Sequence, residues 1–216
     1  ALDLPIEDVT FELGDSSLPP SPLQGGSWTA ASVGTAVKVV CDKLRARLLA
    51  LANEDSGLSY AQILQRSGLS SLEEQVANEP DTKAQEPFTR ATHSAVFVEV
   101  KVDEQLGAIR VTRVVSAIAG GRALNPKTAR SQIVGGVVWG IGMALHEESL
   151  MDTKLGRFMN RNLAEYHIPV QADIHDIDVI VVDESDTIVN PLGVKGLGEI
   201  GIVGVAGRRR TLAHHR

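Results

Sequence analysis

The sequence has little cysteine, few aromatic residues and no long apolar run. One of its 216 residues is a cysteine, and 4% are aromatic. The single thiol, that of Cys41, excludes an internal disulfide and any iron–sulfur or zinc site that needs several cysteines of this chain. No apolar run reaches the ~18–20 residues that a membrane-spanning helix requires. These absences argue against a membrane protein and against a small disulfide-held domain.

Positive charge is also scarce. The chain has 21 Lys and Arg residues against 27 Asp and Glu residues, which gives a net charge of −6. That balance excludes the extended basic surface with which proteins bind nucleic acid or anionic membranes. Hydrophobic residues make up 43% of the chain, enough for one compact domain or two small ones.

Both ends of the chain read as interior sequence. Residues 1–5 contain no initiator Met and do not resemble a signal peptide, and a Gly/Val/Ala run gives way to an aberrant basic tail at 208–216. We expect the chain to be a fragment whose tail reflects truncation, a frameshift or an artificial end. The absence of targeting signals therefore says nothing about the compartment of the parent protein.

The first 90 residues are predicted to contain one strand, two helices and a loop. A short strand is expected at 9–13 and a long amphipathic helix at 29–52, with Ser27 or Thr29 as its N-cap. A shorter helix is predicted at 59–66. The polar stretch 73–90, which contains two prolines, is expected to be an exposed, mobile loop.

The remaining residues are predicted to mix strands and one helix. Alternating apolar residues predict strands at 93–102 and 108–117, joined by a hairpin that ends at Gly107. Asn125 as cap and Pro126 as first residue predict a helix, and a last strand is expected at 177–183. The fold class is therefore α+β. We expect two α+β subdomains, at 1–72 and 91–207, separated by the loop at 73–90.

Glycines interrupt the predicted helix at positions 135, 136, 140 and 142. A glycine inside a helix costs about 1 kcal/mol relative to alanine, so each position needs a reason. One interpretation, which we favour, is close packing of the helix backbone against a sheet. The other is direct approach of the backbone to a bound cofactor.

One loop combines a carboxylate with several glycines. In residues 195–201, glycines stand on both sides of Glu199, and glycine allows the backbone to approach a ligand closely. Glu199 is therefore the candidate catalytic residue, and a solvated surface charge is the alternative. The same glycines spell G-x-G-x-x-G, but the preceding strand ends too early for a dinucleotide site and no suitable acidic residue follows. Histidine spacing predicts no metal site, and no G-x-S-x-G motif is present.

Three segments together resemble a known family. They are GGSWTAASVGT at 25–35, the stretch from LNP at 124–126 through the glycine-rich helix to 142, and KGLGE at 195–199. In this order and approximate spacing they are similar to the molybdenum-binding subunit of the xanthine dehydrogenase and aldehyde oxidase family, from about residue 4 to 205. The bacterial aldehyde-oxidising members have the nearest pattern. The chain would then be the C-terminal part of a molybdopterin-binding domain.

The resemblance implies a hydroxylase mechanism. In the family, the counterpart of Glu199 is the catalytic base: it takes a proton from a hydroxide on molybdenum, which attacks the substrate, while hydride passes to a sulfido ligand. Burial raises the pKa of a carboxyl group towards neutral pH, which suits such a base. Main-chain N–H groups at a helix start would hold the molybdenum–molybdopterin cofactor, and a glutamine would hydrogen-bond it. The residues so implied are Ala30, Ala31, Ser32 and Val33, together with Gln132.

The resemblance also implies partners. Electrons would leave through 2Fe-2S clusters and FAD on an iron–sulfur subunit and an FAD subunit, and the N-terminal half of the molybdenum domain would complete the site. The cofactor could carry a terminal cytosine dinucleotide. The expected reaction is oxidation of a small aldehyde to its acid, with purine or other heterocycle hydroxylation and a non-catalytic remnant as alternatives. Between the bacterial cytoplasm and periplasm, we favour the cytoplasm.

Overall fold

The chain forms two compact units in the computed structural model, which describes residues 1–52, 57–77 and 82–206. The first unit contains Ala1–Thr89 and Thr187–Gly193, and the second contains Arg90–Asp186 and the segment from Val194 onward. The predicted basic tail at 208–216 lies outside the described residues. Among the helices that are described, none has both the length and the apolar character needed to cross a bilayer.

The first unit is built on two helices. Helix α1 spans Thr29–Leu51 and helix α2 spans Tyr60–Arg66, both close to their predicted bounds. Ser59 caps α2, because its side chain accepts the Gln62 N–H while the Gln62 side chain accepts the Ser59 N–H. The core between the helices consists of Leu48, Ala52 and Ile63.

The predicted strand at 9–13 is wrong. A 3-10 turn occupies Ile6–Asp8, the residues after it are irregular, and Phe11 and Leu13 are exposed. A strand needs a neighbour with which to share backbone hydrogen bonds, and alternation of apolar residues does not supply one. The described part of the first unit therefore contains helices and no strand, so its predicted α+β character is also wrong.

The segment predicted as an exposed loop at 73–90 is partly ordered against the first unit. Helix α3 spans Thr82–Gln85, and the buried Gln85 side chain donates a hydrogen bond to the Val189 carbonyl at 2.9 Å. Lys43 Nζ lies 3.0 Å from a Glu74 carboxylate oxygen. Residues 78–81 lie outside the described part of the chain. These contacts are between residues far apart in sequence, which explains why local composition did not predict them.

The second unit contains a three-stranded sheet with the order β1-β2-β5. Strands β1 (His93–Asp103) and β2 (Ala108–Ala119) form the predicted antiparallel hairpin, and Gly107 has a φ of +63° at its turn. Strand β5 (Asp176–Val181) pairs in parallel with β2. Two short strands, β3 (Met151–Asp152) and β4 (Arg157–Phe158), form a separate hairpin. The α+β class predicted for the chain is confirmed.

Helix α4 (Pro126–Leu145) packs on this sheet as predicted. Its N-cap Asn125 accepts hydrogen bonds from the backbone N–H groups of Lys127 and Thr128, at 3.1 and 3.2 Å. One face of the helix is buried, and Val137 and Ile141 join Val114 of β2 and Val205 in one core cluster. Because β2 is the central strand and carries most of the buried positions, α4 and the two flanking strands all depend on it.

Among the glycines of α4, Gly136 permits close packing against a helix rather than the predicted sheet, whereas Gly140 and Gly142 face side chains. The C-terminal helix α5 (Ile200–Val203) lies on α4, and a Cβ on Gly136 would stand 2.9 Å from the Gly201 backbone. A Cβ on Gly201 would likewise stand 2.7 Å from the Ile133 carbonyl oxygen. Gly140 is equally restricted by the Val205 side chain, whereas Gly135 has open space beside it. The backbones of the two helices therefore meet directly.

Two adjacent glycines of α4 are expected to respond oppositely to alanine. Gly135→Ala should raise the free energy of unfolding by up to about 1 kcal/mol, because alanine favours the helix and nothing obstructs its methyl group. Gly136→Ala has the same favourable effect on helix propensity, but its methyl group would push the backbones of α4 and α5 apart. Such overpacking typically costs about 1–3 kcal/mol. Urea unfolding of both variants measures the difference. Equal stabilisation by the two substitutions would contradict the close contact between α4 and α5.

Candidate functional site

Glu199 stands at the entrance to helix α5. It is the N-cap residue, with φ −113° and ψ −14°, and its side chain makes no capping hydrogen bond. The side chain is exposed, and no other hydrogen bond or ion pair involves it within the described residues. The burial that would suit a catalytic base is thus not supplied by the described part of this chain. What the chain does supply is a carboxylate without a competing partner.

The backbone before Glu199 is attached to the end of strand β2. Val194 forms an antiparallel bridge with Gly121, and the Lys195 N–H donates to the Gly120 carbonyl at 3.1 Å. Gly121 has a φ of +67°, a conformation that favours glycine. These contacts continue the pairing at the end of β2 and fix the direction in which the chain enters the loop at 195–201.

Two side chains hold the next residues of the loop. The Thr92 hydroxyl donates to the Gly196 carbonyl at 2.8 Å. Leu197 covers Gly120 so closely that a Cβ on that glycine would stand 2.6 Å from the leucine Cδ2. The loop is therefore held by residues before β1 and after β2, which are distant from it in sequence.

Lys195 is the centre of a nearly buried ion cluster. Its side chain is 10% exposed, and its Nζ lies 2.5 Å from Glu184 Oε1 and 3.1 Å from Asp186 Oδ2. The second Glu184 oxygen accepts the Gly121 N–H at 2.8 Å. Glu184 thus joins the lysine side chain to the backbone that follows β2. A poorly hydrated ammonium group needs such partners, because burying an unpaired charge is costly.

These contacts shift two pKa values in opposite directions. The hydrogen bond from Lys195, helped by the Gly121 N–H, lowers the pKa of Glu184. The hydrogen bond to Glu184 raises the pKa of Lys195, and the one to Asp186 adds to it, against the effect of burial. Both groups are therefore held in their charged forms over a wider pH range than usual.

Downstream of Glu199, the loop is fixed by the contact between α5 and α4. Gly201 lies against Ile133, and Gln132, which is exposed, precedes that isoleucine on α4. The second unit thus brings the predicted residues Gln132 and Glu199 onto two packed segments. Glu199 lies between an electrostatic anchor at Lys195 and a steric anchor at Gly201.

The other predicted residues lie in the first unit, at the start of α1. Ala30 is exposed, whereas Ala31, Ser32 and Val33 are half-buried. The Ser32 N–H and hydroxyl both donate to the Trp28 carbonyl, at 2.9 and 3.0 Å. The predicted N-cap at Ser27 or Thr29 is wrong, because Trp28 is the N-cap and makes no side-chain capping bond. The backbone geometry of the turn before α1 accounts for this difference from the prediction.

The turn that precedes α1 is tight. Gly26 and Ser27 have φ values of +55° and +59°, and the Trp28 indole N–H donates to the Leu23 carbonyl at 2.6 Å. Serine rarely adopts a positive φ, and the helix has Trp28 rather than Ser27 as its N-cap. Among the described residues, no protein group caps the first N–H groups of α1, which stay available to an anion.

Comparisons with known proteins agree with the sequence and the fold. A family model described as the molybdopterin cofactor-binding domain matches residues 1–175. The chain belongs to that family, and with it to the xanthine dehydrogenase and aldehyde oxidase proteins. The aldehyde oxidoreductase molybdenum-binding subunit PaoC of Escherichia coli (strain K12) is 38% identical over 95% of this chain and 30% of its own length. The chain therefore spans about a third of that relative.

Two further comparisons extend the match. The putative xanthine dehydrogenase molybdenum-binding subunit XdhA of Escherichia coli (strain K12) is 35% identical over 53% of this chain and 15% of its own length. The solved aldehyde oxidoreductase of Desulfovibrio desulfuricans aligns with a TM-score of 0.62 and 26% identity, over 85% of this chain and 20% of its own length. The resemblance seen in the sequence is confirmed at the level of family and fold.

The start of helix α1 offers donors that fit a pterin cofactor. No group of three or more His, Cys, Asp or Glu side chains that could hold a metal ion occurs within the part of the chain that is described. The uncapped N–H groups at the start of α1 suit an anionic group. One turn beyond Ala31, the buried Thr35 hydroxyl has no hydrogen-bond partner among the described residues. These donors fit the chemistry of a phosphorylated pterin.

Sequence reasoning missed the ion cluster around Lys195. The signal was present, since the run DESD at 183–186 follows the last strand and Lys195 opens the glycine loop. A charge run is usually solvated, and nothing local shows that Glu184 and Asp186 face the same ammonium group. The parallel pairing of β5 with β2 brings them together.

The pKa shift of Glu184 predicts a pH-dependent contribution to stability. Because folding lowers the pKa of Glu184, its carboxylate contributes to the free energy of unfolding. This contribution is fully present when the pH is above the ordinary carboxyl pKa of about 4.5, and it is lost as the pH falls through the pKa of the folded state. Glu184→Gln should therefore lower the free energy of unfolding at neutral pH, and the difference from the unmodified chain should shrink in acid. Urea unfolding at a series of pH values measures this.

Glu104, an exposed carboxylate in the β1–β2 turn, provides the matched control. Glu104→Gln should change stability little at any of these pH values. A Glu184→Gln effect that is equally large at neutral and acid pH would mean that charge pairing with Lys195 is not the cause.

Proposed function

We propose that this chain is the cofactor-holding and base-carrying part of a molybdenum hydroxylase subunit that oxidises aldehydes to carboxylic acids. Glu199 is the proposed base. The observation that carries the proposal is a carboxylate anchored on both sides by backbone contacts yet free of partners of its own within the described chain. The 38% identity with an aldehyde oxidoreductase subunit supports aldehydes as the substrate class.

A base must be both positioned and able to accept a proton. Lys195, the nearest cation in the loop, is engaged by Glu184 and Asp186 and does not neutralise Glu199. An opposite charge beside Glu199 would stabilise its carboxylate and weaken it as a base. The bound cofactor supplies the two-electron oxidation, and Glu199 receives the proton that the reaction releases. We propose that the substrate and the rest of the holoenzyme bury Glu199 during turnover.

The start of α1 is the proposed cradle of the cofactor. The N–H groups of Ala30 and Ala31 would hold its anionic parts, and the small side chains at these positions would allow close approach. Ser32, whose N–H already donates to the Trp28 carbonyl, and Val33 would line the same cradle. Gln132 would hydrogen-bond the pterin. Support comes from the uncapped helix start and from Ser27, whose left-handed backbone is the kind of strain that often marks functional turns.

The proposal extends to partners that complete the enzyme. The relative in Escherichia coli is named as a molybdenum-binding subunit, and the chain spans 30% of its length. We propose that the remainder of the molybdenum domain completes the site and that turnover requires it. Iron–sulfur and FAD subunits would take the electrons, and the cytosine dinucleotide is a proposed form of the cofactor.

Hydroxylation of a purine or another nitrogen heterocycle is the second candidate. It is favoured by the 35% identity with a putative xanthine dehydrogenase subunit, although that match covers 53% of the chain. A panel of aldehydes and purines, assayed with the holoenzyme and an artificial electron acceptor, separates the two. Selective turnover of purines would overturn the aldehyde proposal and leave the role of Glu199 intact.

Removing the proposed base should abolish turnover but not cofactor binding. In the holoenzyme, Glu199→Gln keeps the size of the side chain and should lower kcat by about 10²–10⁴-fold, the usual effect of losing a general base. Molybdenum content per subunit should stay unchanged, because no anchoring role is proposed for this side chain. Steady-state kinetics with metal analysis measures both, and near-normal kcat in a fully loaded variant would discard the assignment.

A negative charge at the proposed cradle should reduce cofactor occupancy. Ala31→Asp places a carboxylate among the N–H groups that would hold the anionic cofactor, so repulsion and lost space should lower molybdenum content. Ala46→Asp makes the same change on an exposed position of the same helix and should leave the content unchanged. Full molybdenum in the Ala31→Asp variant would mean that this helix start is not the cradle.

A further inference from the structure

Beyond Glu199 itself, the structure points to the residue that positions it. We propose that Lys195, through its ion pair with Glu184, is a positioning residue for the catalytic carboxylate. The inference rests on the proposed function, in which Glu199 is the base. Lys195 does not need to contact substrate or cofactor, because its effect would pass through the loop backbone.

Lys195 connects three segments of the chain. Its N–H donates to Gly120 after β2, and its Nζ contacts Glu184 and Asp186 after β5. Glu184 in turn accepts the Gly121 N–H. One residue therefore fixes the loop to two neighbouring strand ends by both its backbone and its side chain.

Within the described residues, the Glu199 side chain has no positional restraint of its own. Its side chain makes no hydrogen bond or ion pair in the described chain, so its location follows from the backbone anchors around it. The downstream anchor, where Gly201 meets Ile133, is a steric contact that limits approach. The upstream anchor at Lys195 is directional, because charged hydrogen bonds depend on angle as well as distance.

The ion cluster around Lys195 differs from an ordinary surface ion pair in the burial of its cation. Arg113 also contacts two carboxylates, those of Asp176 and Asp178, yet its side chain is 52% exposed. Exposed pairs of this kind contribute little, because water screens them. The Lys195 side chain is 10% exposed, so its removal would leave the partly exposed carboxylates of Glu184 and Asp186 close together without the cation that both contact. Their repulsion would displace the loop.

The test is a double-mutant cycle in the holoenzyme. Lys195→Met should lower kcat per bound molybdenum by about 10–100-fold, the scale expected when a catalytic group is displaced by about 1 Å. Lys195→Arg should recover most of the loss, because it retains a cation. In a Glu199→Gln background, Lys195→Met should cause no further loss, since a positioning residue has nothing left to position. Arg113→Met should leave kcat unchanged.

The outcomes separate this inference from the proposed function. If Glu199→Gln leaves kcat near normal, the proposed function fails, and this inference fails with it. If Glu199→Gln reduces kcat while Lys195→Met does not, the inference alone is overturned. Equal losses from Lys195→Met in both backgrounds would also overturn it, because Lys195 would then act independently of Glu199.

Glu184→Gln provides a second route if Lys195→Met does not fold. It keeps an acceptor for the Gly121 N–H but removes the charge that pairs with Lys195. The same pattern is expected, with lower kcat per molybdenum and no further loss beside Glu199→Gln. A Glu184→Gln variant with reduced thermal stability and unchanged kcat per molybdenum would show that the cluster is merely structural, and would overturn the inference.

Discussion

The direct meeting of two helix backbones, at Gly136 and Gly201, is the constraint on which the second unit depends. Any larger residue at either position would place a Cβ within 2.9 Å of backbone atoms, which cannot move aside as a side chain can. The contact therefore sets how near the C-terminal segment lies to α4, and through it the distance between Glu199 and the helix that carries Gln132. Close approach also increases dispersion contacts, which offsets the low helix propensity of the glycines.

The steric contact between Gly136 and Gly201 sets how near the loop lies to α4 but does not set the direction in which the loop runs. The ion cluster around Lys195 sets that direction. Lys195 is held by Glu184 and Asp186 before the loop reaches Glu199, and a poorly hydrated ammonium group cannot leave such partners cheaply. The same pairing keeps the lysine away from Glu199. A carboxylate paired with a cation is a weak base. The loop therefore satisfies two demands that usually conflict, since it is firmly attached while the carboxylate of Glu199, the proposed base, has no partner within the described residues.

The sequence allowed prediction of those features that neighbouring residues determine. The helices α1, α2 and α4 and the β1–β2 hairpin follow from periodicity, caps and Gly107, all of which act within a few residues. Contacts between distant segments were not predictable in this way. The return of Thr187–Gly193 to the first unit, the helix–helix contact of Gly136 with Gly201 and the ion cluster of Lys195 all depend on how strands pair. The mistaken strand at 9–13 is the converse case, since its local pattern was suitable but no neighbouring strand exists in the described chain.

In the proposed site, the residues that take part in the reaction differ from those that would select the substrate. Family membership alone therefore does not determine the substrate. The proposed base and cofactor cradle would serve the part of the reaction that aldehydes and purines share, namely proton acceptance and two-electron oxidation. Discrimination between a small aldehyde and a planar heterocycle depends on the walls around the reacting carbon, where a methylene or an unpaired polar group changes affinity by a factor of ten or more. In the proposed function, Glu199 and its anchors would act on the shared step, and relatives named for both substrates match this chain. Substrate choice must therefore reside in residues that contact the substrate beyond the reacting carbon, and substitutions at Lys195 should alter rate without altering preference.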